Sequence, residues 1–140
     1  MSRTVIVAAV ASLLLAGCGT GPGEPGAAAV VGDTRIPLSE VQGWFDDVLR
    51  KEGELKGQLQ QQGQMGELGR QIASFAVQEE LVNHAARREG LSVDEQKITQ
   101  QINQMGGPEK ATAGKINTPE NLRDSVRSQL LTAQIGRAHV

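Results

Sequence analysis

Between Glu67 and Glu89 the apolar residues Leu68, Ile72, Phe75, Val82 and Ala86 recur at helical steps, with Val77, Leu81 and Ala85 widening the face. A strand would throw alternate side chains to opposite faces, so a 3.6-residue period kept over this length specifies an amphipathic helix. Its stripe must be covered by other elements, because isolated helices are marginal in water. Gly90 follows as a left-handed cap, and Arg87 and Arg88 place cations at the negative end of the helix dipole. The rest of the chain has to pack around this central helix.

The flanking sequence supplies the partners. Ser39-Glu40-Val41-Gln42 reads as a capping box opening a helix at Ser39, with Val41, Trp44, Phe45, Val48 and Leu49 as its stripe. A second box, Ser92-Val93-Asp94-Glu95, opens a helix striped by Val93, Ile98, Ile102 and Met105 and stopped at Gly106-Gly107-Pro108. A polar loop is expected to Asn117. Thr118-Pro119-Glu120 then gives an N-cap, a first-turn proline and an acid ahead of Leu122, Val126, Leu130 and Ala133. Before all of these, Ala29-Val30-Val31 and Thr34-Arg35-Ile36 flank Gly32-Asp33, a small hairpin or bent strand that needs cover to be stable. Lys51 to Gly66, with glycines at 53, 57, 63 and 66 and glutamines from 60 to 62, reads as a loop or weakly helical arm. The expected fold is mainly α: a short N-terminal β-hairpin or strand, then about four amphipathic helices. With no Tyr, one Trp and two Phe, its core must be aliphatic.

The N-terminus sets where this domain works. Arg3 precedes an almost unbroken apolar run from Val5 to Leu15, the pattern of a secretory signal peptide and too short to span a bilayer. It closes on Leu15-Ala16-Gly17-Cys18, which closely resembles the bacterial lipobox. That resemblance implies lipidation of the Cys18 thiol and cleavage before it, leaving Cys18 as the first mature residue. Multiple acyl chains anchor stably where one gives only marginal binding. The expected organisation is a signal peptide over 1–17, a lipidated Cys18 with a flexible Gly/Pro/Ala tether over 18–29, a helical domain over 30–133, and a tail over 134–140. The last six residues, from Ile135 to Val140, resemble a translated short-read sequencing adapter, so the domain is expected to continue past Ala133.

Catalytic chemistry finds no foothold. No nucleophile has a base beside it, no metal-ligand spacing occurs, and His84 has no partner of the types that proton transfer requires. Asp46 and Asp47 are adjacent and diverge on a helix. Gly21-Pro22-Gly23-Glu24-Pro25-Gly26 fits a dinucleotide-binding spacing, yet two prolines and the lack of a preceding strand remove that meaning. The formal charge of −2 argues against nucleic acid, and loss of Arg3 with the leader makes the mature chain more acidic. No cofactor, nucleotide or metal is expected, only the covalent lipid on Cys18.

Order and motif carry the reading further. The leader, the Ala29-to-Ile36 strand and turn, and the Ser39-capped helix are followed by Gln71-Ile-Ala-Ser-Phe-Ala-Val-Gln-Glu-Glu-Leu-Val and its closing Arg87-Arg-Glu-Gly-Leu-Ser-Val-Asp-Glu. Together they resemble the SurA N-terminal family of extracytoplasmic chaperones and foldases, which includes PrsA-type lipoproteins. The resemblance covers roughly Ala28 to Ala133. It implies a module, anchored to the bacterial cell membrane, that holds unfolded exported polypeptides without ATP. It also implies that a parvulin prolyl-isomerase domain can follow the last helix, leaving enzyme activity of the longer protein open. Trp44, Phe45, Met65, Phe75 and Met105 are the candidate client contacts. Two other readings stand beside this one: an envelope lipoprotein of structural or adaptor type with one specific partner, and the chaperone arm of an isomerase.

Overall fold

The structure, a computed structural model, describes residues 25–138. The signal peptide and the lipobox Leu15 to Cys18 lie outside the described residues, as does most of the tether. Strands β1 (Ala27–Val31) and β2 (Thr34–Pro37) form an antiparallel hairpin about Gly32-Asp33, pairing Val31 with Thr34, Val30 with Arg35 and Ala29 with Ile36. Six helices follow: α1 (Leu38–Lys51), α2 (Leu55–Gln61), α3 (Met65–Arg88), α4 (Glu95–Gln104), α5 (Pro108–Thr112) and α6 (Leu122–Ala138). The four long ones are those the periodicity predicts, and α6 runs on without a break into the adapter-like residues.

The helix starts depart from the capping-box expectations. Helix α1 begins at Leu38, directly from Pro37, whose φ of −66° and ψ of 140° already give N-cap geometry; Ser39 sits inside the first turn and caps nothing. The Leu38 N–H donates instead to the Gly26 carbonyl at 2.8 Å, so the hairpin itself satisfies a free amide of the helix. At α4 the cap is Asp94, not Ser92: its carboxylate accepts the Gln96 N–H at 2.6 Å, and an anion there also meets the helix dipole. At α6 the expected Thr118 cap and first-turn Pro119 fall short of the helix, which begins at Leu122; residues 119–121 form a turn in which the Asn121 side chain accepts the Thr118 N–H at 3.0 Å. The stretch expected to be a polar loop contains α5, nucleated by Pro108 at its first turn after two glycines of positive φ. The glycine-rich arm is helical over α2, and Gly90 takes the left-handed conformation expected of it, at φ +64°.

Two apolar clusters result. Val31 and Ile36 of the hairpin, Val41, Trp44 and Val48 of α1, and Ile72 and Ala76 of α3 form the first. Ile98 and Ile102 of α4, Ala111 of α5, and Leu122 and Val126 of α6 form the second. Helix α3 contacts α1 and the hairpin on one flank and α6 on another. Its apolar arc is wider than these neighbours cover: Ile72, Ala76 and Ala86 are buried, whereas Phe75 and Leu81 remain 41% and 52% exposed. On α6 the expected Ala133 faces solvent and Leu131 is buried instead.

The hairpin turn also rests on α3. A Cβ built on Gly32 (φ +61°) would come within 2.7 Å of the His84 ring, whereas one on Gly63 (φ +66°) would meet nothing within 4 Å. Both substitutions by alanine carry the left-handed backbone penalty of about 1–2 kcal/mol. Only Gly32→Ala adds an overpacking cost, on the order of 1–3 kcal/mol. Denaturant unfolding should therefore rank Gly32→Ala below Gly63→Ala, and adding His84→Ala should narrow the gap.

Candidate functional site

The segment joining α5 to α6 lies across the C-terminal half of α1, and side chains of α1 hold it there. The Trp44 indole N–H donates to the Ile116 carbonyl at 2.7 Å. The Lys51 Nζ donates to the carbonyls of Thr112, Lys115 and Asn117, each at 2.7 Å. Glu52, just past the end of α1, accepts the Gly114 N–H at 3.2 Å and stands 3.7 Å from the Lys51 ammonium. Because Lys51 is the last residue of α1, its head reaches past the helix end to the last carbonyl of α5, which also accepts the Lys115 N–H, and to two carbonyls of the segment that follows. The Lys51 side chain is only 15% exposed as a result.

This segment walls an open cleft of about 510 Å³. Val48 of α1, Leu55 of α2, Leu68 of α3 and Ile116 of the segment give it an apolar lining, with Glu52, Glu54, Gln58, Gln71 and Lys115 among its polar groups. Its size falls in the range of ligand and peptide pockets, roughly 300–1,000 Å³. The cleft holds no nucleophile with an adjacent base. Among the described residues no group of three or more His, Cys, Asp or Glu is placed to hold a metal ion, and no helix is long and apolar enough to cross a membrane.

The five residues singled out from sequence are scattered. Trp44 is buried within the first cluster, and Phe45 packs partly buried against the same cluster. Met65 begins α3 and is half-buried; Met105 closes the second cluster. Phe75 alone of the five is largely open, at the edge of a groove of about 170 Å³ between α3 and α6 that also touches Glu79, Val82 and Ser125. None of the five lines the larger cleft. Leu55 is a sparse apolar point of the glycine-rich arm and Ile116 an isolated one in a polar loop, so the sole signal for either was an apolar residue without a stripe to join.

Beside that groove a polar chain links three segments. Asn117 donates through its side-chain amide to Ser125 Oγ at 2.5 Å, and Ser125 donates to Glu79 Oε1 at 2.6 Å. Glu79 is half-buried, and burial pushes its carboxyl above the usual glutamate range. The Ser125 hydrogen bond offsets this in part, while the nearby charges of Asp124 and Glu40 add to it. His84, for which proton transfer found no partner in the sequence, is half-buried beneath the hairpin turn.

A model of the SurA-like N-terminal domain matches residues 1–136. The chain belongs to that family. Comparison with curated proteins and with solved structures gives no match. The SurA-like assignment agrees with the observed architecture, a short two-stranded sheet followed by helices. It carries a chaperone-like role in protein folding outside the cytoplasm, a role in which unfolded polypeptide is the general ligand.

The Glu79 carboxyl titrates higher in the folded chain than in the unfolded one, so folding binds its proton more tightly. The resulting stability is fully present below the unfolded value and declines as pH rises through the folded one. Glu79→Gln keeps an acceptor for Ser125 and removes the charge. Its melting temperature should exceed that of the wild type at neutral pH, with the difference shrinking on mild acidification; a gap independent of pH would contradict this assignment.

Proposed function

We propose that this SurA-like domain is a lipid-anchored chaperone of the bacterial cell envelope that holds unfolded exported polypeptides without ATP, and that the cleft beside α2 receives them. The cleft is the observation that carries the reading. It is open, its apolar lining comes from four different segments, and its polar groups, backbone included, suit an extended chain. Family membership supports the class of ligand. The lipobox residues Leu15, Ala16, Gly17 and Cys18 support anchoring through a diacylglyceryl thioether on Cys18, with the Gly/Pro/Ala tether spacing the domain from the bilayer. No nucleotide enters this scheme: binding and release follow from the modest affinity of a small, wet cleft.

Leu55 is the residue to test, because it lines the cleft and is only partly buried at the edge of the first cluster. A Leu55→Asp variant should keep its helical content with a modest drop in melting temperature, yet lose most of the ability to suppress aggregation of several unrelated unfolded proteins, whereas Leu55→Ala, with a similar drop, should lose less. Protection of a single folded partner, with no effect on unfolded ones, would establish the adaptor reading in its place. For the anchor, Cys18→Ala should move the protein from the membrane to the soluble fraction on fractionation; retention in the membrane would overturn it.

A further inference from the structure

The lining of the client cleft is divided between the two halves of the fold. Val48, Leu55 and Leu68 belong to the hairpin side, where they join or pack against the first apolar cluster. The 113–117 wall, by contrast, hangs between α5 and α6, which build the second cluster. Ile116 is the wall's apolar foothold on the first cluster, and the remaining ties are polar. They are the Trp44 bond to Ile116, the three bonds of Lys51, and the Gly114 bond to Glu52. Two α1 residues and their neighbour Glu52 thus decide how far the wall stands from the floor.

We propose that Lys51, seconded by Trp44, is a positioning residue that sets the width of the cleft, and so the size of client side chain admitted, by latching the 113–117 wall onto α1. The proposal rests on the cleft being the client site. Three features of the latch make it adjustable. One flexible side chain bridges three carbonyls, so a single rotamer change frees the wall at two points, Lys115 and Asn117, and at its junction with α5, Thr112. The bonds to Lys115 and Gly114 are exposed, so water can replace them when they break. The wall itself is glycine-containing backbone, with Gly114 at φ +65°, and it belongs to neither helix that it joins. Opening it costs these hydrogen bonds and lifts Ile116 from the edge of the first cluster, while the buried residues of both clusters stay packed.

The test uses the full chain and two probes: a short extended peptide carrying a single leucine, and the same peptide with tryptophan in its place. Lys51→Met keeps most of the side-chain length and removes the donors; Lys51→Arg retains donors. In Lys51→Met the amide hydrogens of Gly114 and Lys115 should exchange about tenfold faster, while those around Ile72 and Ile98 keep wild-type rates, a local rather than global opening. The tryptophan-to-leucine affinity ratio should rise by about tenfold, the discrimination that a pocket wall typically supplies. Lys51→Arg should stay near the wild-type ratio. Unchanged exchange in Lys51→Met would overturn the latch while leaving the client site standing. Faster exchange with an unchanged ratio would overturn the link between wall and selectivity. Failure of the wild-type chain to bind either peptide would overturn the client-site reading itself, and the proposal with it.

Discussion

One ammonium group ties the connection between α5 and α6 to α1. A hydrogen bond to a charged group contributes about 1.5–3 kcal/mol net, against about 0–1 kcal/mol for a surface ion pair. By that measure the three bonds of Lys51 outweigh the fan of Arg123 and Arg127 on Glu95, whose three side chains are all substantially exposed. The location matters as much as the strength. Lys51 joins the end of α1 to the end of α5 and the start of the approach to α6, so it connects the two clusters at the point where the chain passes from one to the other. Trp44 repeats the connection about two turns earlier, through an indole whose ring is core and whose N–H is a tether.

The contact between α3 and α6 is of a different kind. Small polar residues, Ser125 and Ser128, are buried on α6 where it faces α3, and the half-buried Glu79 answers from the other side. Such a seam leaves a charged group in a place where burial opposes the charge. The carbonyl cradle of Lys51 is a separate and more local tie, from the end of α1 to the end of α5 and the segment that follows it.

The helices were legible because periodicity is local: four stripes, each readable within one segment, give four long helices. Their starts were less legible because capping is a competition among nearby residues. Pro37 pre-empts Ser39 by fixing the backbone one step earlier, and Asp94 displaces Ser92 by bringing a full charge to the first turn. Helix α5 was readable in principle from the same proline signal that marks Pro119, yet it is too short to show a stripe. The cleft was not readable. Val48, Leu55, Leu68 and Ile116 span most of the domain in sequence, and nothing in the spacing of these residues says that they meet. Aromatic residues drew attention by size, and size is what places Trp44 inside the core.

A domain with so little aromatic surface has few ways to bind an apolar chain firmly, and the geometry turns this into a working property. An aliphatic cleft with polar groups around it and a hydrogen-bonded wall offers modest burial, since each admitted side chain contributes only about 1.5–3 kcal/mol when fully covered. Part of that is offset by the ordering of the client segment. Weak, reversible contact follows, which suits holding without an energy source. If the chain is tethered at Cys18, it need not find its client by diffusion through the whole envelope: anchoring raises the local concentration of clefts where exported chains emerge, and many weak encounters replace one strong one. The same argument explains why the wall is held by hydrogen bonds rather than by a larger core. A wall sealed by more apolar packing would cover more of Leu55 and Leu68, whereas a latch of carbonyls and one ammonium, with Ile116 as its one apolar contact, leaves both partly open.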